Sequence, residues 1–288
     1  MTLAHRPDHA PAAAPFITAP LRDVAAWVAA FDAREIPVLA TTAEAVEELR
    51  ANEDAVDAHL LAEAMATDPL MTLKLLRHVA LLRRGRDQSE AETATEALVM
   101  LGITPFFRDF GPQPTLEQRL AGQPDALHGL RAVLRRAHRA ARFALGFAVH
   151  RNDHDAALIH EAALLHDFAE MLLWAHAPGL ALAIAQWQLA EPGLRSSEAQ
   201  RTLLHATLAD LQQALMKTWR LPELLVHISD DHRSHDPQVR TVQLAVRVAR
   251  HSARGWDNPA LPDDVDEVAA LLNLGTPPTL HLLRELDR

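Results

Sequence analysis

Apolar residues in this chain recur three and four positions apart, and over no length do they alternate at period two. That spacing puts them on one face of a helix and leaves no strand with a buried side. Composition agrees: Ala and Leu dominate an apolar fraction of 49%, aromatics make up 5%, and Tyr is absent. Such side chains favour helix over the β-branched and aromatic mix of sheets. The expected fold class is all-α.

Proline, glycine and capping residues divide the chain. Pro7, Pro11, Pro15 and Pro20 lie among small residues, so residues 1–20 read as a disordered leader. A helix over 21–33 carries Val24, Trp27, Val28 and Phe31. Pro37 ends it, and Thr41 or Thr42 caps the next. Residues 57–66 are helical by pattern; Asp68 then caps a helix with Pro69 in its first turn. Residues 89–102 form another, closed by Gly102. Gly111, Pro112, Pro114, Gly122 and Pro124 mark 111–126 as a linker. Beyond it come a helix bearing His138, one started by Asp153 or Asp155, and one bearing Trp187. A long helix runs from Ser196 or Ser197 through Trp219, and further helices run to the C-terminus. Residues 21–125 are thus expected to form an N-terminal helical subdomain, and 126–288 a helical core with C-terminal helices.

Bulk properties exclude several functions. The formal net charge of −10 makes nucleic acid an unlikely partner. Without cysteine there is neither disulfide nor thiolate metal site. No apolar run approaches the ~20 residues needed to span a bilayer, and the N-terminus lacks a signal-peptide core. A cytoplasmic protein without membrane association is expected.

The chemistry concentrates at 162–170, a strongly apolar helical stretch that presents His166 beside Asp167, both ordinary ligands of a divalent metal. Around this pair the chain resembles the HDOD (HD-related output domain) family of bacterial signalling proteins, within the HD superfamily. The first half carries Ile36-Pro37, then Ala66-Thr67-Asp68-Pro69-Leu70-Met71, then Ala94-Thr95-Glu96-Ala97-Leu98 running to Gly102. The second half carries His138, Leu164-Leu165-His166-Asp167, His205-Ala206-Thr207-Leu208, Trp219-Arg220-Leu221-Pro222, and Ile228 to His232. The resemblance covers roughly 30–255. It implies a five-helix HD-type core with an additional N-terminal helical subdomain, and a regulatory role without a settled activity. Catalytic members of the wider superfamily hydrolyse phosphate esters at a metal held by His, His-Asp and a later Asp.

Carried over, the first His falls on His138, the pair on His166 and Asp167, and second-metal histidines on His205 and near His232. The closing acid is replaced by Arg250, which follows Ala249. A guanidinium about 5 Å from a divalent cation opposes it by about 6–7 kcal/mol at an effective dielectric near 20. Ala169, Glu170 and Asp231 also stand where the family pattern has Gly, a basic residue and His. His138 shares a helical face with Arg131, Arg135 and Arg142, a solvated basic face on which a phosphate or carboxylate would be welcome. An Asp167–Arg250 ion pair is expected in place of the metal.

The leading reading is a non-catalytic regulatory protein with no cofactor, acting on unnamed signalling partners or sensing a small ligand. A second is a metal-dependent phosphohydrolase using a divalent metal at His138, His166 and Asp167 with His205 or His232. A third is an emptied site that holds an anionic nucleotide through Arg135, Arg142 or Arg250. Input and output are expected to come from partners. His160, His176, His227, His235 and His251 read as surface or helix-end residues, Trp187 and Trp219 as packing anchors. Arg77, Arg83, Arg84 and Arg86 read as a modest positive cluster.

Overall fold

The computed structural model describes residues 14–83 and 91–288. The start of the leader, together with Arg84, Gly85, Arg86 and Ser89, lies outside the described residues. Helices account for the fold. The first half holds α1 (Val24–Asp32), α2 (Ala40–Arg50), α3 (Ala58–Met65), α4 (Pro69–Leu82), α5 (Ala94–Leu101), α6 (Ile103–Asp109) and α7 (Leu116–Arg119). The second holds α8 (Pro124–His150), α9 (Ala156–Leu165), α10 (Phe168–His176), α11 (Pro178–Ala190), α12 (Ser196–Leu204), α13 (Leu208–Thr218), α14 (Glu223–Ile228), α15 (Pro237–His251), α16 (Leu261–Leu272) and α17 (Thr276–Leu286). Short 3-10 turns occupy Glu53–Ala55 and Asp231–Arg233. Extended pairing among the described residues is a single bridge, Val38 to Thr115. The all-α expectation holds.

The 27-residue α8 is the axis. Its buried stripe of Leu130, Val133, Ala137, Ala140, Ala141, Ala144 and Phe147 is narrow in the middle, and the alanines let α9 and α15 pack against it. At Gly129 a Cβ would stand 2.4 Å from the Trp174 ring of α10, so only glycine permits that approach.

Polar side chains fix helix starts within the first half and tie the two halves together. Asp68, fully buried, caps α4 by accepting from the amides of Leu70 and Met71, and it accepts from Leu39 at 2.6 Å as well. Glu161 of α9 accepts the Ala94 amide at the start of α5 with both carboxylate oxygens, each at 3.0 Å. The Trp219 indole donates to Asp32, and Trp27 donates to the Leu204 carbonyl. Trp219 is therefore the anchor expected of it, while Trp187 is only partly buried.

Several expectations need correction. Residues 14–20 are not loose: Ile17 is buried, its amide donates to the His176 carbonyl, and the Phe16 ring lies under Arg119. Thr42 does not cap α2; the helix begins at Ala40 and buries Thr42. The 111–126 stretch contains α7, with Leu116 and Leu120 fully buried. Gly102 takes the positive φ expected, +83°, and the chain turns there straight into α6. The long helix from Ser196 to Trp219 is two helices, because His205 adopts the left-handed conformation and Thr207 caps a new start. His176 ends α10 as expected but is buried, and burial together with Arg119 and Arg34 pushes its pKa down to about 3. Arg77 turns inward, stacked on Trp219 and paired with Asp32, instead of standing out on the surface. Among the described residues, no single helix is long and apolar enough to cross a membrane.

Candidate functional site

The His-Asp pair does not ride mid-helix. Local helical bonding breaks between α9 and α10, with His166 as the last cap of one and Asp167 as the first cap of the next. That corner aims Asp167 at α8 and α15, where the fold supplies cations, and His166 at the 231–233 turn.

Arg250, in the last turn of α15, places Nη2 at 2.6 Å from Asp167 Oδ1. The expected ion pair is present. Arg136 of α8 takes the other oxygen, with Nε at 3.0 Å from Asp167 Oδ2, and its Nη2 lies 2.6 Å from Glu170 Oε2. His166 places Nδ1 3.2 Å from Asp167 Oδ1 and Nε2 3.2 Å from Asp231 Oδ1. Gln243 steadies the Asp231 turn through its carbonyl.

Electrostatics follow from this packing. Burial opposes ionisation of Asp167, yet Arg250, Arg136 and His166 outweigh it and hold the carboxyl well below the usual range. Burial likewise opposes a charged His166, but the Asp167 and Asp231 carboxylates overcome it and the pKa is pushed up to about 9. Arginines 136 and 250 and a protonated His166 meet carboxylates 167, 170 and 231, so the cluster is neutral. Glu170 and Asp231, departures from the family pattern, join Asp167 in balancing the two arginines and the imidazolium.

This donor set does not fit a divalent metal. A ligating imidazole needs a lone pair, and His166, with a carboxylate at each ring nitrogen and its pKa pushed up to about 9, is held in the doubly protonated form. Both Asp167 oxygens face guanidinium groups. Among the described residues, no group of three His, Asp or Glu side chains is placed to hold a metal ion.

The other residues singled out by sequence fall elsewhere. His138 does not reach Asp167; its Nε2–H donates to the Thr67 carbonyl at 2.9 Å. The residue that does is Arg136, two positions earlier and about 200° around the helix. Its signal was its phase: Arg136 lies three and four residues from Val133 and Ala140, on the buried stripe. His205 donates to the Leu21 carbonyl near α1, and His232 is exposed on its 3-10 turn while its neighbour Asp231 meets His166. Arg135, Arg142 and His138 instead gather around a separate cavity, with Arg139 and His160.

An all-α chain built on an HD-type corner, with helices added before it, defines the class. The HDOD domain model matches residues 36–235, and the chain belongs to that family. No curated protein matches the sequence. Solved structures share the fold, two of them with TM-scores above 0.6. One is the MmoQ response regulator from Methylococcus capsulatus str. Bath, 17% identical, with a TM-score of 0.64 over 87% of this chain and 98% of that one. The other is a virulence factor from Campylobacter jejuni subsp. jejuni, also 17% identical, with a TM-score of 0.61 over 91% and 97%.

Proposed function

We propose that this protein is a non-catalytic HDOD signalling module, in which the HD corner serves as an internal ion-pair lock and the output passes through protein contacts or a sensed small ligand. The reading is carried by the Arg136–Asp167–Arg250 arrangement, which puts two guanidinium groups on the carboxylate that a metallohydrolase would use as ligand. Metal-assisted phosphoester cleavage needs a cation to polarise the phosphoryl oxygen and to lower the pKa of its water. A locked carboxylate and a protonated imidazole supply neither. The name of one fold relative, a response regulator, is in keeping with a signalling role.

The test is a turnover screen of the full chain on nucleotides, cyclic dinucleotides and simple phosphodiesters with Mn²⁺ or Mg²⁺, beside metal analysis of protein purified without chelator. The expected result is no turnover above the Asp167→Ala variant and no stoichiometric transition metal. Turnover that Asp167→Ala abolishes would establish the phosphohydrolase reading instead.

A further inference from the structure

Beside the locked corner, α8 turns a second set of cations toward the other side. Arg135, His138, Arg139 and Arg142 face Thr67, in the turn before α4, and His160 of α9 across a cavity of about 480 Å³. None of these residues belongs to the Asp167 cluster. The cavity sits where the N-terminal helices meet the core, and among the described residues no acidic side chain lines it.

The cations here are unequally occupied. Arg139 is committed to Asp287, at 2.6 and 2.8 Å, and to Ser252 and the Ala249 carbonyl. Arg142 lies 3.8 Å from the same Asp287 and stays half exposed. Arg135 is exposed and pairs with no described residue, and His160 hydrogen-bonds to none. The Thr67 carbonyl can only accept, so His138 carries its proton on Nε2 and keeps Nδ1 free. Burial, then the Arg142 charge, lowers the pKa of His138; burial, then His138, lowers that of His160. Both rings therefore have a proton to gain if negative charge enters.

We propose that this cavity binds a small phosphate-bearing molecule, gripped by Arg135 and Arg142 with His138 and His160. The inference rests on the small-ligand half of the function proposed above and names the ligand class. The unpaired Arg135, the loosely paired, half-exposed Arg142 and two proton-accepting imidazoles exceed what one carboxylate can neutralise. A phosphate brings up to two negative charges and several acceptor oxygens, matching the planar fork of arginine. The volume falls within the range of small-molecule sites, which run from roughly 300 to 1,000 Å³. An occupant bridging Arg135 and the Thr67 turn would tie the N-terminal helices to the core, so occupancy could be read at a distance.

Calorimetric titration of the full chain with inorganic pyrophosphate tests this, alongside NMR of the histidine imidazoles. The expected result is saturable one-to-one binding that shifts the His138 and His160 signals. The Arg135→Gln/Arg142→Gln double variant should bind about tenfold weaker or worse, the loss of charge-assisted bonds. Arg201→Gln, on α12, which contributes no residue to the cavity, should bind as the unmodified chain does. Thermal melting confirms that the variants fold. Adenosine monophosphate against pyrophosphate separates the sources: tighter nucleotide binding assigns the site to a nucleotide, equal binding to the phosphate group itself. Failure to saturate, undiminished affinity in the double variant, unmoved imidazole signals, or binding of citrate but not pyrophosphate would each overturn the proposal. Asp167-dependent turnover would overturn the non-catalytic reading without touching these affinities, so the two fail separately.

Discussion

One helix, α8, serves two neighbouring regions with the same residue type and opposite outcomes. Arg136 enters a cluster in which every charge is met: guanidinium by carboxylate, and imidazolium by the shared Asp167 and by Asp231. Arg135, one residue away and about 100° around the helix, borders a cavity without acids. The first region is closed and self-neutralising, which suits a structural lock. The second carries surplus positive charge in a concave space, which suits a ligand. A guanidinium says little about function until its partners are known, and the partners here come from α10, the 231–233 turn and α15, far away in sequence.

The comparison can be broken most forcefully at its centre. Asp167→Ala removes the acid shared by the buried His166, the mostly buried Arg136 and the half-exposed Arg250, and loss of one partner from such a network costs about 3–5 kcal/mol. Denaturant unfolding should show a lower midpoint at unchanged slope; a loss under about 1 kcal/mol would mean that the cluster is no lock.

His166 offers a pH-dependent probe of the same lock. Its folded pKa of about 9 exceeds the ordinary 6.5, so the folded state holds a proton that the unfolded chain has released between those values. The stabilisation is complete below 6.5 and is lost as pH rises through about 9, an effect of roughly 3 kcal/mol. His166→Gln should flatten the stability profile over that window.

Glu161, which ties α5 to α9, tilts the profile the same way at lower pH. Burial pushes its carboxyl from 4.5 up to about 8, so the folded state binds the extra proton and stability falls as pH rises between those values. Glu161→Gln should remove that part of the slope, and the two variants together resolve which group is responsible where.

The smallest effect is expected in the open region. Arg135→Gln should change stability by no more than about 0.5 kcal/mol, as for an exposed residue without a partner. A larger loss would show that the cavity wall is structural and would erase the contrast with Arg136.

Much of this was legible beforehand. A cap such as Asp68 is a local device, read from a few neighbouring residues, and Asp68-Pro69 starts α4 as its sequence says, whereas the Thr207 cap lay inside a stretch that reads as one helix. The Asp167–Arg250 pair was legible because a motif marked both positions and opposite charges had to be reconciled. His138 against Arg136 was not. The motif located the helix, but a two-residue error in phase points a side chain to nearly the opposite side, and phase against a neighbour is a property of packing. The break at His166–Asp167 and the left-handed His205 were hidden likewise, since no proline or glycine marks either position.

Sequence alone therefore determined the helical class, the family, and the loss of the closing acid, because periodicity and residue identity are carried along the chain itself. Tertiary structure decided which arginine locks the corner and which ones are left facing an open cavity. Compensation of a charge depends on what lies within a few ångströms, and that distance is set by the way helices remote in sequence pack together.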